Sequence, residues 1–250
     1  MKKKEDNAFS TWSFDSFLSE KEAEDAILDA ISGKLTLPSG YKIAPIVNYI
    51  DLGQIIAAKQ FSKSMGRACR VNRKLPSELV EEIVRTFFRD FNLNGVYRDK
   101  GPDIAHEAVK NLLKTGKIRV GIVQECGDQC RWAIISTDTL PDLSVSTVLP
   151  ENPMWDDRII EIIYGYKFVY RGDTLSPDEL SEILKKGLEV NQSIPNSELI
   201  ILINRLIRRD MLYLETRPFS NWRYNFSIQV TKRIKEKLKK AYKNANKNRV

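Results

Sequence analysis

The sequence contains no apolar run that approaches the ~20 residues needed for a membrane-spanning helix. Its basic start, Met1 to Asn7, is not followed by the apolar segment of a secretory signal peptide. Three cysteines, an odd number, argue against a disulfide framework. We therefore expect a cytoplasmic protein that does not contact membranes.

Groups suited to metal binding or catalysis are also scarce. His106 is the only histidine, which excludes a histidine-based metal centre, and a serine-histidine triad would have to use it. A zinc ion bound by Cys126 and Cys130 would need two further ligands, and only Cys69 and His106 are present, whereas structural zinc sites usually show two tight ligand pairs. No glycine-rich phosphate loop lies between a predicted strand and helix. We therefore expect no metal, no cofactor and no catalytic site.

One enzyme class stays open as an alternative. Asp103 followed by Glu125 is faintly similar to the metal-binding carboxylates of restriction-type nucleases. Those families place a lysine two residues after the glutamate, where this sequence has Gly127. Asp103 is also well explained as a helix N-cap. A metal-dependent nuclease is thus a minor hypothesis, and the leading one is a protein that is not an enzyme.

Positive charge is abundant, and it is concentrated at one end. Residues 205–250 hold 14 Lys and Arg against three acidic residues, a net charge of +11. The other 204 residues therefore carry −4 of the chain's total of +7. A positive end on a mildly acidic body is typical of proteins that bind polyanions. A solubilising tail is the plainer alternative.

The stretch before this tail predicts a helix followed by a hairpin. Residues 197–209 carry an apolar face of helical spacing, formed by Leu199, Leu202, Ile203, Leu206 and Ile207. Residues 211–214 predict a short strand and residues 216–221 a turn-rich tip. From 222 to 230 the residues alternate, with Trp222, Tyr224, Phe226, Ile228 and Val230 on one side. A helix that runs into a hairpin with a basic tip resembles the end of a winged helix-turn-helix domain.

Residues 156–170 are strongly apolar and could form a helix or a strand, of which we favour the helix. A further helix starts at Ser176 and ends near Gly187. The first half shows a comparable order. Asp51 is predicted to cap a helix to about residue 67, Pro76 to open a second, and Asp103 to cap a third that ends at Gly116. A hairpin with strands at 117–125 and 131–136 follows. A capping box at Ser19 to Glu22 opens a separate helix near the N-terminus.

The predicted fold class is α+β, with an N-terminal helical region followed by two winged-helix-like units with short β-hairpins. The N-terminal region spans 1–50, the first unit 51–138, a proline-rich linker 139–155, the second unit 156–230 and a basic tail 231–250. Tandem winged helices of this length are similar to plasmid replication initiators and to the kite subunits of SMC complexes. No residue motif chooses between the two families.

The resemblance implies which side chains would contact DNA. The third helix of a helix-turn-helix enters the major groove, and arginine suits phosphate and guanine while asparagine suits adenine. The predicted DNA-binding residues are Ser197, Asn204, Arg205, Arg208 and Arg209 on the helix, Arg217, Asn221 and Arg223 on the wing, and Lys232 and Arg233 in the tail. In the first unit the equivalent face holds Asp103, His106, Glu107, Lys110 and Asn111, whose carboxylates would repel phosphate. That unit is therefore expected to contact protein.

These observations favour a non-enzymatic DNA-binding protein, such as a transcription regulator, a replication initiator or the DNA-contacting subunit of a larger complex. The expected partners are double-stranded DNA and either another protein or a second copy of the chain. The main alternative is a structural adaptor whose winged helices bind protein. The basic tail is predicted to bind DNA without supporting the fold, so that removal of residues after Val230 should leave the body folded.

Overall fold

The computed structural model describes residues 18–35, 45–48, 51–56, 58–60, 62–63, 104–124, 129–137, 153–170, 175–220 and 223–247. Within these ranges, the side chains of 153, 167–170, 217–220, 223–225 and 242–247 are not described. The helices are α1 (Glu20–Ile31), α2 (Ile104–Lys114), α3 (Pro153–Tyr170), α4 (Pro177–Gly187), α5 (Asn196–Arg208) and α6 (Lys232–Lys247). The described positions between 51 and 63 are also helical. The strands are β1 (Ile46–Val47), β2 (Ile118–Gln124), β3 (Cys130–Ser136), β4 (Leu212–Ser220) and β5 (Arg223–Val230).

These elements make an α+β fold with two small antiparallel sheets, which confirms the α+β class of the prediction. One sheet has three strands in the order β1-β3-β2, and β1 was not predicted. The other is the hairpin of β4 and β5. None of the helices in the described parts of the chain is long and apolar enough to cross a membrane.

The helix N-termini follow the capping rules that the sequence displays. Ser19 accepts a hydrogen bond from the N–H of Glu22, and the Glu22 carboxylate accepts one from the N–H of Ser19. Ser176 and Glu179 form the same reciprocal box at the start of α4. The buried face of α1 is the predicted one, formed by Ala23, Ala26, Ile27, Ala30 and Ile31. Local sequence signals therefore determine where these helices begin and which face they bury.

Two local predictions were wrong. Asn48, and not Asp51, caps the helical stretch after β1, because the Asn48 side chain accepts from the N–H of Asp51 at 3.0 Å while Asp51 returns a bond to the N–H of Asn48. The predicted turn at 216–221 is also too long, since β4 continues to Ser220. Pro218 is tolerated in β4 because each strand of a two-stranded sheet has an open edge, where a missing N–H costs no ladder bond.

The basic tail is not an appendage to the body. Residues 232–247 form α6, and this helix is docked through Ile234 and Leu238, which are only 8% and 9% exposed. Burial of two large aliphatic side chains makes the helix part of the core. The expectation that the tail contributes nothing to the fold is therefore wrong. Removal of residues after Val230 would expose the surface against which Ile234 and Leu238 pack.

The two predicted units are packed against each other. α5 of the second unit contacts β2 of the first, and α2 of the first contacts β4 of the second. Buried apolar residues from α1 to α6 form one continuous cluster. The predicted helix that Pro76 opens, the Asp103 cap and the linker up to residue 152 lie outside the described residues. The packing between units is what decides which polar side chains remain available at the surface.

Candidate nucleic-acid interface

Helix α5, the predicted DNA-reading helix, is enclosed by the rest of the protein. Eight of its 13 residues are buried, including three polar ones, Glu198, Asn204 and Arg205. The predicted apolar face packs inward, and β2 of the first unit covers a second face. A helix that is covered from two sides cannot enter a major groove about 12 Å wide. The predictions that Asn204 and Arg205 face the solvent are therefore wrong.

The side-chain amide of Asn204 bonds to the backbone of β2, the edge strand of the three-stranded sheet. Its Oδ1 accepts from the N–H of Val120 at 2.9 Å, and its Nδ2 donates to the carbonyl of Val120 at 2.8 Å. Nδ2 also donates to the carbonyl of Ile200 in its own helix. Because β2 is a sheet edge, its outward backbone groups need such partners when they are buried. Asn204 therefore links the two units, and its amide is fully used.

Arg205 belongs to a buried ionic group at the start of α3. Its Nη2 lies 2.8 Å from Oδ1 of Asp156, and the two side chains are 4% and 2% exposed. Arg209 bonds the other oxygen of the same carboxylate. Asp156 sits in the first turn of α3, where the helix dipole favours an anion. Both arginines thus neutralise an internal carboxylate, and Arg209 is only partly available to a ligand.

The remaining predicted contacts on α5 are few. Ser197 and Arg208 are exposed, the first near the start and the second at the last residue of the helix. On the predicted wing, the backbones of Arg217 and Arg223 lie in β4 and β5, but their side chains are not described, and Asn221 lies outside the described residues. The contact of Arg217, Asn221 and Arg223 with DNA therefore stays a prediction.

Helix α6 carries an array of exposed positive charge. This helix turns Ile234 and Leu238 inward and leaves most of its basic residues exposed, namely Lys232, Arg233, Lys237, Lys239 and Lys240. Glu236 is the only acidic residue of the helix. Since the apolar face fixes the helix to the body, the charges are held in place relative to the hairpin that precedes it. Lys232 and Arg233 are thus accessible, and their contact with DNA stays a prediction.

The first turn of α6 faces a pocket that both units build. The pocket has a volume of about 400 Å³ and is lined by residues of α2, the end of α5, β4 and the start of α6. Its basic lining residues are Lys110, Lys114, Lys232 and Arg233. We call it the cross-unit pocket. The sequence predicted that the face of Lys110 would be unsuited to phosphate, and it gave no sign that the lysines of α2 lie near α6, because that proximity depends on how the units pack.

The polar face of α2 is used inside the protein. Asn111 donates to Glu20 and Glu24 of α1. Nδ1 of His106 accepts the N–H of Thr216 at 3.2 Å, and its ring meets Tyr213 edge-on at 5.9 Å between ring centroids. The chain itself thus covers part of this face, at His106 and Asn111, and a contact with another protein stays a prediction. Because Nδ1 is an acceptor here, a neutral His106 carries its proton on Nε2.

No group of three or more histidine, cysteine, aspartate or glutamate side chains that could hold a metal occurs among the described residues. Cys69 and Cys126, as well as Asp103 and Glu125 of the nuclease hypothesis, lie outside that part of the chain. Cys130 is a free thiol at the start of β3, and its Sγ accepts from Asn196.

Comparison with protein-family models found no match, and searches among curated proteins and solved structures found no similar protein either.

Proposed function

We propose that this protein binds double-stranded DNA without catalysing a reaction on it, and that it holds the DNA mainly by its phosphate backbone. The observation that carries the proposal is the docked helix α6, which presents five exposed cations on a fixed surface. Lysine and arginine that neutralise phosphates release counterions, and this term supplies most of sequence-independent DNA binding.

The order of elements supports a tandem winged-helix arrangement. In the second unit, α3, α4 and α5 precede the hairpin of β4 and β5. In the first, α2 precedes the hairpin of β2 and β3, and β1 adds to that hairpin as a third strand. Because α5 is enclosed, the docking of a recognition helix into the major groove is not the mode that we propose.

A reader of the phosphate backbone has little direct sequence preference, because base edges and not phosphates specify a sequence. The burial of Asn204 and Arg205 removes the two α5 residues best suited to base edges. The role as a DNA-contacting subunit of a larger complex therefore has more support than that of a site-specific regulator. A partner protein would then supply any choice of site.

The adaptor hypothesis also has an observation in its favour. Met154 is 79% exposed beside the half-buried Trp155, and both line a hollow of about 330 Å³ together with Leu188. An exposed methionine and a tryptophan are common at protein interfaces. The two functions are compatible if the protein binds DNA through α6 and a protein through this hollow.

A salt titration with matched variants tests the proposal. The affinity for a duplex of arbitrary sequence should fall steeply with salt, and Lys239→Gln with Lys240→Gln should flatten the slope by about 0.9 for each phosphate that the variant no longer neutralises. Lys185→Gln with Lys186→Gln, a neighbouring pair on α4, serves as the control and should leave the slope unchanged. Fluorescence anisotropy at several salt concentrations measures both. Equal slopes for both variants and the wild type would contradict the proposal and leave the adaptor hypothesis in front.

A further inference from the structure

We propose that the cross-unit pocket binds one nucleotide, with the phosphate at its basic rim and the base against its apolar wall. The choice of a nucleotide over another phosphate ester rests on the proposed function. The pocket itself rests on independent observations, namely its charge, its volume and its aromatic lining.

The rim carries more positive charge than the protein neutralises. Lys110 is paired with Glu107 at 3.0 Å, and Nε of Arg233 lies 3.7 Å from Asp210. Lys114 and Lys232 form no ion pair with any described residue, and Asp210 is the only acidic residue among the described residues of the lining. The fold thus brings together cations from α2 and α6 that repel one another. A bound anion with a charge of −2 would relieve this repulsion.

The start of α6 adds to the same effect. Thr231, Lys232 and Arg233 border the pocket, and the first turn of α6 contains no acidic residue. The hydroxyl of Thr231 donates to the carbonyl of Asp210. The first N–H groups of a helix have no acceptor within it, and they favour an anion nearby. The helix end therefore strengthens a site that the side-chain cations define.

The volume of the pocket and its apolar lining indicate a ligand larger than a phosphate ion. A pocket of about 400 Å³ lies in the ~300–1,000 Å³ range of small-molecule sites. Leu113 and Ile207 supply apolar lining, and the partly buried ring of Tyr213 is held in place by its edge contact with His106. Aromatic side chains stack on any base, at ~1–3 kcal/mol per base. A nucleotide carries a base and a phosphate side by side, and the pocket has an apolar wall for the base next to a basic rim for the phosphate.

The probe is 2′-deoxyadenosine 5′-monophosphate, titrated into the full chain and followed by NMR. Saturable binding is expected, with deoxyadenosine and inorganic phosphate each at least about tenfold weaker, since each lacks one half of the ligand. Lys114→Gln with Lys232→Gln should weaken the monophosphate at least about tenfold without a change in melting temperature, because both side chains are exposed. Tyr213→Leu should weaken the monophosphate but not inorganic phosphate. Lys185→Gln with Lys186→Gln is the control.

Competition with a duplex tests whether the pocket overlaps the surface that holds DNA. If the duplex displaces the monophosphate, the two ligands share the rim cations of α6, and if both bind together, the pocket holds a free nucleotide apart from the duplex; both results support the pocket. Absence of saturable monophosphate binding, or equal binding by the Lys114/Lys232 variant, would overturn it. If the duplex binds and the monophosphate does not, the nucleotide proposal fails and the proposed function stands. If the monophosphate binds and the duplex does not, the proposed function fails and the nucleotide proposal stands.

Discussion

Helices α5 and α6 both carry arginine or lysine beside an apolar face, yet the protein uses them in opposite ways. α5 turns Arg205 inward to a carboxylate and Asn204 to a strand edge. α6 turns its cations outward and buries only Ile234 and Leu238 along its described length. The difference lies in the number of elements that cover each helix. Because neighbours cover α5 on two sides, its exposed polar side chains lie only near its ends, at Ser197 and Arg208 among them.

The largest effect in this comparison is expected from Asp156→Ala. The change leaves the buried guanidinium of Arg205 without its carboxylate, and Arg209 loses the same partner. Removal of one member of a buried ion pair costs about 3–5 kcal/mol of unfolding free energy. Urea unfolding measures it, with Asp157→Ala, an exposed neighbour, expected within about 0.5 kcal/mol of wild type. Equal stability of the two variants would mean that the buried position of Arg205 does not depend on the Asp156 carboxylate.

A smaller loss of unfolding free energy is expected from Asn204→Ala. Both backbone groups of Val120 would lose their partner, and an unsatisfied buried group costs about 1–3 kcal/mol. The duplex affinity of the folded variant should stay at the wild-type value, because the amide is already occupied. Ser197→Ala, at an exposed position of the same helix, is the control for both measurements. A loss of affinity without a loss of stability would restore Asn204 as a DNA contact.

The smallest expected effect on stability concerns the residues at the N-terminus of α1, and its size depends on pH. α1 starts with acidic residues, whereas α6 starts with Lys232 and Arg233. The Lys63 ammonium, 2.6 Å from Oε2 of Glu22, and the N–H of Ser19 lower the pKa of Glu22 from 4.5 to about 2.

A folded-state pKa below the unfolded one stabilises the protein above the unfolded pKa, and the gain disappears as the pH falls through the folded pKa. The stability difference between wild type and Glu22→Gln should therefore be full above about pH 5 and shrink toward about pH 2. Glu24→Gln is the control. A difference that is constant over this range would show that Glu22 has no ionic partner in solution.

The sequence predicts the elements of this fold better than their surroundings. The capping boxes, the apolar faces of α1 and α5 and the end of α2 at Gly116, whose φ is +70°, all follow from local rules. The apolar sequence of α3 was compatible with a helix or a strand, and the structure shows the favoured helix. These features depend on residues a few positions apart, which a single sequence displays.

The environment of the polar residues could not be predicted in the same way. Asn204 bonds to Val120, and Arg205 bonds to Asp156. The partners are far apart in sequence, and a periodic pattern of residues predicts only contacts between residues that are close in sequence. The cross-unit pocket arises because α2 and α6 come together in the fold. A basic residue on a polar face has the same sequence signature whether water, a carboxylate or DNA lies opposite. The docking of α6 was missed because Ile234 and Leu238 form only a narrow apolar stripe among nine basic residues.

The central claim, that α6 and not α5 meets DNA, is tested most directly by lysine footprinting. Acetylation of surface lysines by a reagent in limited amount is measured by mass spectrometry with and without a saturating duplex. We expect protection of Lys237, Lys239 and Lys240 on α6, and unchanged acetylation of Lys185 and Lys186 on α4. Unchanged acetylation of the three α6 lysines under conditions where the duplex is bound would contradict the account.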